Sequence, residues 1–246
     1  WVQTGAPVSH QGYTVTAVAF GRRGKGDRLP GVLFQRKMPE HRGITIVANL
    51  QGIEPYVGPN LTAQGLADEL LRVEESVLVL DLFMTGSLYD PMLAEKRDPF
   101  ALHFTAYNRT DLQERIQDLA TAAVVCRRFA PRVALCGANG AGALAMLAAP
   151  LVDAVVADAD GVDSTIDDVL MRPDMFSPGL RNFGVFQGAA GLAAPNPLLI
   201  HHTGNAFPVI WLEGVYSHQK PAGRLEVSVA PFSDIEIARW VGGVKK

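Results

Sequence analysis

The sequence is short of charge and of long apolar runs, and each shortage excludes a class of protein. Charged residues make up 19% of the 246 residues, whereas hydrophobic residues make up 48%. This balance excludes a disordered chain and favours a compact domain with a large core. The formal net charge of −3 gives no electrostatic basis for binding nucleic acid. No apolar run is long enough to span a membrane.

Cysteine is also scarce, with two residues that are too few for a disulfide framework. Cys126 and Cys136 flank the turn at Pro131, on a predicted helix and the strand that follows it, so a disulfide between them is one alternative. Two buried thiols are the favoured interpretation, because free cysteine is among the most buried residue types.

The length of the chain fits one large domain over residues 1–246, which could itself be one domain of a longer natural chain. The chain begins at Trp1 without a methionine. We therefore expect that a signal peptide, a preceding domain or a tag was removed, as in a secreted or periplasmic protein.

Hydrophobic patterning predicts two opening antiparallel strands and then strands that alternate with helices. The predicted strands span residues 12–20, 32–37, 43–48, 76–82, 132–136, 152–157, 197–202 and 224–229. The predicted helices span residues 61–73, 111–129, 143–149, 207–216 and 233–241. Residues 83–110 form a long irregular loop or insertion, and residues 171–196 show too little periodicity to assign. This order predicts an α/β protein with a mostly parallel sheet covered on both faces.

A glycine-rich turn follows the fifth predicted strand. Residues 132–150 read RVALCGANGAGALAMLAAP, a short apolar strand, a tight turn and a helix of small apolar residues. A strand that turns sharply into a buried helix is the scaffold of a nucleophile elbow, with the pattern Gly-x-nucleophile-x-Gly. Gly137 matches the first glycine, and the nucleophile position falls on Asn139, whose side chain has no nucleophilic oxygen or sulfur. The scaffold is therefore predicted without its reactive atom.

Three further segments resemble one known family. They are VLVLDLFMTGS (77–87), FTAYNRTDLQERIQDLATA (104–122) and GLRNFGVFQGAAGLAAPNPLLIHHTGN (179–205). These segments resemble the α/β-hydrolase domains of bacterial acetyl xylan esterase-like proteins over most of the chain from about residue 43. The resemblance implies an α/β-hydrolase fold, with a mostly parallel eight-stranded sheet and helices on both faces.

The resemblance also implies positions for a serine, an acid and a histidine, in that chain order. The serine position is Asn139, the acid position after the seventh strand is Asn205, and the histidine position after the last strand is Ser233 or Asp234. None of these residues matches the family's chemistry, so the resemblance predicts a degenerate triad.

The oxyanion scaffold is better matched. The resemblance assigns one donor to the Gly140 amide and the other to an amide near Gly52 and Ile53, where QG replaces the usual HG.

Displaced catalytic groups are an alternative to the degenerate triad. An acid can follow the sixth strand in this fold, which makes Asp158 or Asp160 a possible acid. His201 and His202 end the seventh strand, one pointing in and the other out, and either is a possible base. A core or surface role for the histidines and a solvated loop for the aspartates are the favoured interpretations.

The same region partly matches two ligand-binding patterns. D-x-D-G-x-D in the acidic loop matches part of a calcium loop but lacks its length and closing glutamate, so we predict no metal. GANGAG, with Asp158 about 20 residues later, also matches a dinucleotide fingerprint. Its glycines follow the fifth strand instead of the first, with the spacing G-x-x-G-x-G, so we predict no cofactor and keep dinucleotide binding as an alternative function.

The sequence therefore predicts an α/β-hydrolase domain that acts as a non-catalytic structural or interaction module. Its predicted partner is an active esterase domain or a second copy of the chain. An active carboxylic-ester hydrolase with displaced catalytic residues is the first alternative.

Overall fold

The order of strands in the sheet fixes which chain segments meet at its edges. The computed structural model of the protein describes residues 1–37, 43–204, 206–219 and 223–244. The strands are β1 (Val2–Thr4), β2 (Val8–Ser9), β3 (Tyr13–Phe20), β4 (Leu29–Arg36), β5 (Ile44–Asn49), β6 (Ser76–Leu80), β7 (Val133–Ala138), β8 (Ala154–Asp158), β9 (Leu198–His201) and β10 (Leu225–Val227). They form one sheet in the order β1-β3-β4-β6-β5-β7-β8-β9-β10, with β2 paired to β3.

The prediction of eight strands is wrong, because the described residues form a mixed sheet of ten. Pairing is parallel from β6 to β10 and antiparallel among β1, β2, β3, β4 and β6. The two additional strands, β1 and β2, have three and two residues, and all their side chains are exposed. They lack the apolar alternation that reveals a half-buried strand.

Nine α-helices accompany the sheet in the described ranges. They are α1 (Gly65–Arg72), α2 (Pro91–Ala94), α3 (Phe104–Tyr107), α4 (Asp111–Cys126), α5 (Gly142–Ala148), α6 (Asp167–Leu170), α7 (Val185–Leu192), α8 (Ile210–Ser217) and α9 (Asp234–Gly242). Capping boxes start two of them: Thr110 with Gln113 begins α4, and Ser233 with Glu236 begins α9.

The sheet is buried on both faces, and alternate residues of each central strand enter different cores. In β7, Leu135 enters the large core against α4, α5 and α7, whereas Ala134 and Cys136 enter the small core against α1 and α9. Continuous apolar runs are typical of parallel strands covered in this way. Cys126 lies in the large core, so the two thiols are on opposite faces, and both are free and buried. The favoured interpretation of two buried thiols is confirmed.

Two long segments cover part of the edge where the parallel strands end. The first follows β6 and carries α2 and α3, and the second lies between β8 and β9 and carries α6 and α7. They meet where the rings of Phe100 and Phe176 lie 4.8 Å apart between centroids. No helix in the described ranges is long and apolar enough to cross a membrane.

Candidate functional site

The backbone between β7 and α5 has the shape expected of a nucleophile elbow. β7 ends at Ala138, Asn139 has a φ of 46°, Gly140 has a φ of 82°, and α5 begins at Gly142. Asparagine tolerates this left-handed conformation better than most non-glycine residues. A Cβ atom on Gly142 would collide with the carbonyl oxygen of Asp158, so the helix can approach β8 only through a glycine.

The polar groups at the tip of this elbow make no hydrogen bond to the part of the chain that the structure describes. Asn139 is exposed. Neither its side chain nor the Gly140 N–H has a hydrogen-bond partner among the described residues. The Gly140 amide is therefore available to a ligand, as an oxyanion donor must be. The Asn139 carboxamide can donate and accept hydrogen bonds but cannot attack a carbonyl carbon.

The turn after β5, by contrast, uses its amides internally. The Gln51 N–H donates to Asn49 Oδ1 at 2.7 Å, and the Gly52 N–H donates to the Asn49 carbonyl oxygen at 3.1 Å. The Ile53 N–H donates to Asp81 Oδ1 at 2.9 Å. A ligand could use the amide of Gly52 or Ile53 only after an internal hydrogen bond had broken.

Asp81 connects this turn to the turn after β6. Its carboxylate is buried, and Oδ2 accepts hydrogen bonds from the Ser87 N–H at 3.1 Å and from the Ser87 hydroxyl at 2.5 Å. A Cβ atom on Gly52 or Gly86 would collide with it. One buried carboxylate therefore holds both turns, and it orients the Ser87 hydroxyl toward an anion instead of an imidazole.

The neighbouring strands β5, β7, β8 and β9 end at the same edge of the sheet. Because side chains alternate between faces, the last residue of each strand lies on the small-core face. Asn49 pairs with Ala138, and Asp158 pairs with His201. Asn49 is fully buried, and its Nδ2 donates to the Tyr56 hydroxyl at 2.9 Å. Sequence reasoning missed Asn49 and Tyr56. The available signal was a polar residue that ends a buried apolar strand, since ligands of open α/β sheets bind at the carboxyl ends of strands.

Burial raises the pKa of Tyr56 to about 12. The Asn49 hydrogen bond opposes this rise, whereas the nearby Asp234 and Asp158 carboxylates increase it. Tyr56 is therefore a neutral phenol at physiological pH, and its own proton has no acceptor among the described side chains and backbone groups.

The structure brings the possible acid and the possible base together. His202 Nδ1 lies 3.0 Å from Asp158 Oδ1 and 3.8 Å from Asp160 Oδ1. The His202 side chain is 38% exposed and the Asp158 side chain 16%. A carboxylate on Nδ1 fixes the tautomer and orientation of an imidazole, which is how histidine is held ready as a general base.

His201 has the opposite environment. It is buried, its ring stacks on Phe232 with centroids 5.7 Å apart, and its Nδ1 accepts a hydrogen bond from the Phe232 N–H at 3.2 Å. The proton of the neutral ring therefore lies on Nε2, which is buried without a partner in the described part of the chain. Burial lowers the pKa of His201, and the Asp158 carboxylate opposes this effect.

The remaining positions assigned by resemblance contribute no histidine or serine nucleophile. Ser233 is the N-cap of α9, and Asp234 is its first residue. Burial and the Glu69 carboxylate raise the pKa of Asp234. Its carboxylate lies near Gly65, where α1 begins. Asn205 lies outside the described residues.

Comparison with known proteins identifies the fold. No family model and no curated protein matches the sequence. Among solved structures, acetyl xylan esterase 1 from Thermoanaerobacterium matches with a TM-score of 0.58 and 15% identity over 94% of this chain and 81% of that one. The glucuronoyl esterase from Solibacter usitatus matches with a TM-score of 0.62 and 10% identity over 98% and 83%. The dienelactone hydrolase from Anabaena variabilis matches with a TM-score of 0.50 and 19% identity over 94% and 96%. The chain has the α/β-hydrolase fold.

One small cavity borders the elbow of this α/β-hydrolase domain. The cavity that Gly140 and Leu50 share with Asp158 and Asp160 has a volume of about 40 Å³, room for roughly one water molecule. Small-molecule sites usually measure about 300–1,000 Å³. Asn139 does not line this cavity, and its side chain is exposed to solvent.

The dinucleotide and metal alternatives can be compared with the same geometry. Asp158, which would bind a ribose, accepts a hydrogen bond from the Asp160 N–H and is paired with His202. Within the described ranges, no three His, Cys, Asp or Glu side chains come together in a way that could hold a metal ion.

Proposed function

We propose that this α/β-hydrolase-fold domain is a non-catalytic structural or interaction module with a degenerate triad. The observation that carries the proposal is the elbow itself. Its backbone presents residue 139 at a positive φ with an exposed side chain, and that side chain is a carboxamide. Acyl transfer through such an elbow begins with attack by a hydroxyl or thiol, which asparagine lacks.

One further feature supports this proposal. The Gly52 and Ile53 amides, to which resemblance assigns the second oxyanion donor, are used by Asn49 and Asp81. Losing one oxyanion donor typically costs a factor of about 10²–10³ in rate.

The test is an acetyl-ester hydrolysis assay combined with labelling by a serine-directed fluorophosphonate. We expect hydrolysis at the level of the buffer blank and no stoichiometric label. Turnover on the order of 1 per second, which is typical of enzymes, would contradict the proposal.

One observation favours a second candidate, a carboxylic-ester hydrolase with displaced catalytic residues. The Asp158–His202 pair is a ready acid–base pair, and an imidazole so held can activate a water molecule as a general base. Two variants separate the candidates in the same assay. If hydrolysis is found and His202→Gln abolishes it while Asn139→Ala does not, the displaced site is responsible.

A further inference from the structure

One stretch of the chain is devoid of charge. Residues 182–212 contain no Asp, Glu, Lys or Arg, although 19% of the whole chain is charged. The stretch includes the buried strand β9, but it also includes α7 and the start of α8, which carry exposed positions. Solvent-exposed helices normally carry charged or polar residues on their outer side.

Large apolar side chains cover the exposed part of this stretch. Phe183 is 74% exposed, Leu192 77%, Ile210 84% and Trp211 57%. These four residues are called the uncharged face. Phe183, Ile210 and Trp211 line one groove, and a Cβ atom on Gly191, beside Leu192, would lie 2.8 Å from the Trp211 ring. Phe183, Ile210 and Trp211 therefore share one surface, with the indole ring held against α7, and the exposed Leu192 is the last residue of that helix.

The groove in this surface presents mainly apolar groups to a partner. Its volume is about 960 Å³, and glycines at positions 184 and 188 contribute to its lining. Gln187 is buried, and its Nε2 donates to Ser164 Oγ at 2.9 Å and to the Pro208 carbonyl oxygen at 3.3 Å. Arg181 at the rim is paired with Asp167. The polar groups are thus satisfied within the protein, so the groove suits an apolar occupant.

We infer that two copies of this chain associate symmetrically through the uncharged face. Its four large side chains expose on the order of 600 Å², since such a side chain carries about 200 Å² of surface. That area is near the upper end for the largest apolar patch on a monomer. It also approaches the roughly 800 Å² that each partner buries in a standard interface.

The shape of the face fits a two-fold interface, in which the same patch meets itself. Ile210 and Trp211 stand beside the groove that they help to line. The side chains of one copy can therefore enter the groove of the other, and the reverse contact follows by symmetry. Arg181, which lines the groove, is paired with Asp167, and Glu213 follows Trp211 by two residues in α8. These charges do not favour an anionic lipid surface, which attracts basic residues.

The inference deepens the proposed interaction role and rests on it. The test is sedimentation velocity over about 1–100 μM protein, which corresponds to dimer dissociation constants in the micromolar range. This experiment measures the association of the chain and does not depend on ester hydrolysis. We expect a species of twice the 26.4 kDa chain mass. Ile210→Lys and Leu192→Lys each alter a highly exposed side chain, so both variants should keep the circular dichroism spectrum and melting temperature. Each should weaken the dimer at least roughly tenfold, because it places a charge in an apolar interface.

Leu102→Lys is the matched control, because Leu102 is 87% exposed and lies outside the uncharged face. It should leave the dimer unchanged. A wild-type chain that stays monomeric at 100 μM, or a dimer that survives both lysine variants, would overturn the inference. A monomer that binds lipid vesicles or an esterase domain would also overturn it. The ester hydrolysis assay is read separately, so failure of the dimer and failure of the non-catalytic proposal are distinguishable.

Discussion

The elbow after β7 and the corner where β8 and β9 end lie at the same edge of the sheet, but they differ in the chemical groups that they present. The elbow has the strained backbone and the unpartnered Gly140 amide, but its side chain is a carboxamide. The corner has Asp158 hydrogen-bonded to the imidazole of His202, with Asp160 Oδ1 3.8 Å from the same ring nitrogen. The shape that presents a nucleophile and the pair that activates one are specified by different residues, so one can exist without the other.

The largest expected effect comes from breaking the shape of the elbow. Gly142→Ala should lower the free energy of unfolding by about 3 kcal/mol or more, because its Cβ atom would collide with the backbone of Asp158 and push α5 away from β8. Gly214→Ala is the control, since a Cβ atom there meets no atom of the described residues within 4 Å and lies within α8. It should change stability by about 1 kcal/mol at most. Urea unfolding of both variants measures the difference, and equal stabilities would show that the close approach is not needed.

A smaller effect is expected at the tip of the elbow. Asn139→Val should destabilise the protein by about 1–3 kcal/mol, because a β-branched residue fits poorly at a φ of 46°. Asn139→Ser should stay folded and inactive toward acetyl esters, because the resemblance places no histidine or acid beside it. The measurements are urea unfolding and an ester hydrolysis assay. Turnover by Asn139→Ser would show that His201 or His202 already faces the elbow and that the triad is not degenerate.

The smallest effect concerns the buried imidazole of His201, which lies at the same corner. The pKa of His201 is lowered by burial, so the unfolded chain binds a proton more readily than the folded one. Stability is therefore fully present above the unfolded value of about 6.5 and falls as the pH drops below it. The slope is at most about 1.4 kcal/mol per pH unit for one group.

His201→Gln should flatten that slope between pH 7.5 and 5. Chemical denaturation at several pH values measures the slope. A slope that is unchanged in His201→Gln would mean that another group causes the acid sensitivity.

Much of the parallel core of the fold could be predicted from the sequence, because strands such as Ile44–Asn49 and Ser76–Leu80 are continuous runs of apolar and β-branched residues. The helix Val185–Leu192 could not be assigned, because three of its four buried residues are apolar and its exposed residues are also uncharged. An amphipathic helix is recognised by polar or charged residues that alternate with apolar ones at helical spacing, and this helix lacks that alternation. The short edge strands were missed for the opposite reason, since nothing in them is buried.

The site was predictable where it depends on neighbours in sequence and not where it depends on strand register. Spacing alone located the turn around Asn139. The contact between Asp158 and His202 joins residues 44 apart in the chain and depends on how β8 pairs with β9. The contact between Asn49 and Tyr56 depends on how a loop folds back over the end of β5. Residue types suggest such contacts, but only tertiary structure creates them.

The buried carboxylate of Asp81 has a consequence for any attempt to give this domain esterase activity. The Ile53 N–H already donates a hydrogen bond to Asp81 Oδ1. The resemblance assigns this same amide to the negative charge that develops on a substrate. The Asp81 carboxylate acts as a permanent internal competitor, tethered by Ser87 and enclosed by two glycines. A serine placed at position 139 would still face a stabilising site that is occupied from within. Installing catalysis therefore requires changes at distant points in the chain, one to add a nucleophile and another to release this anion.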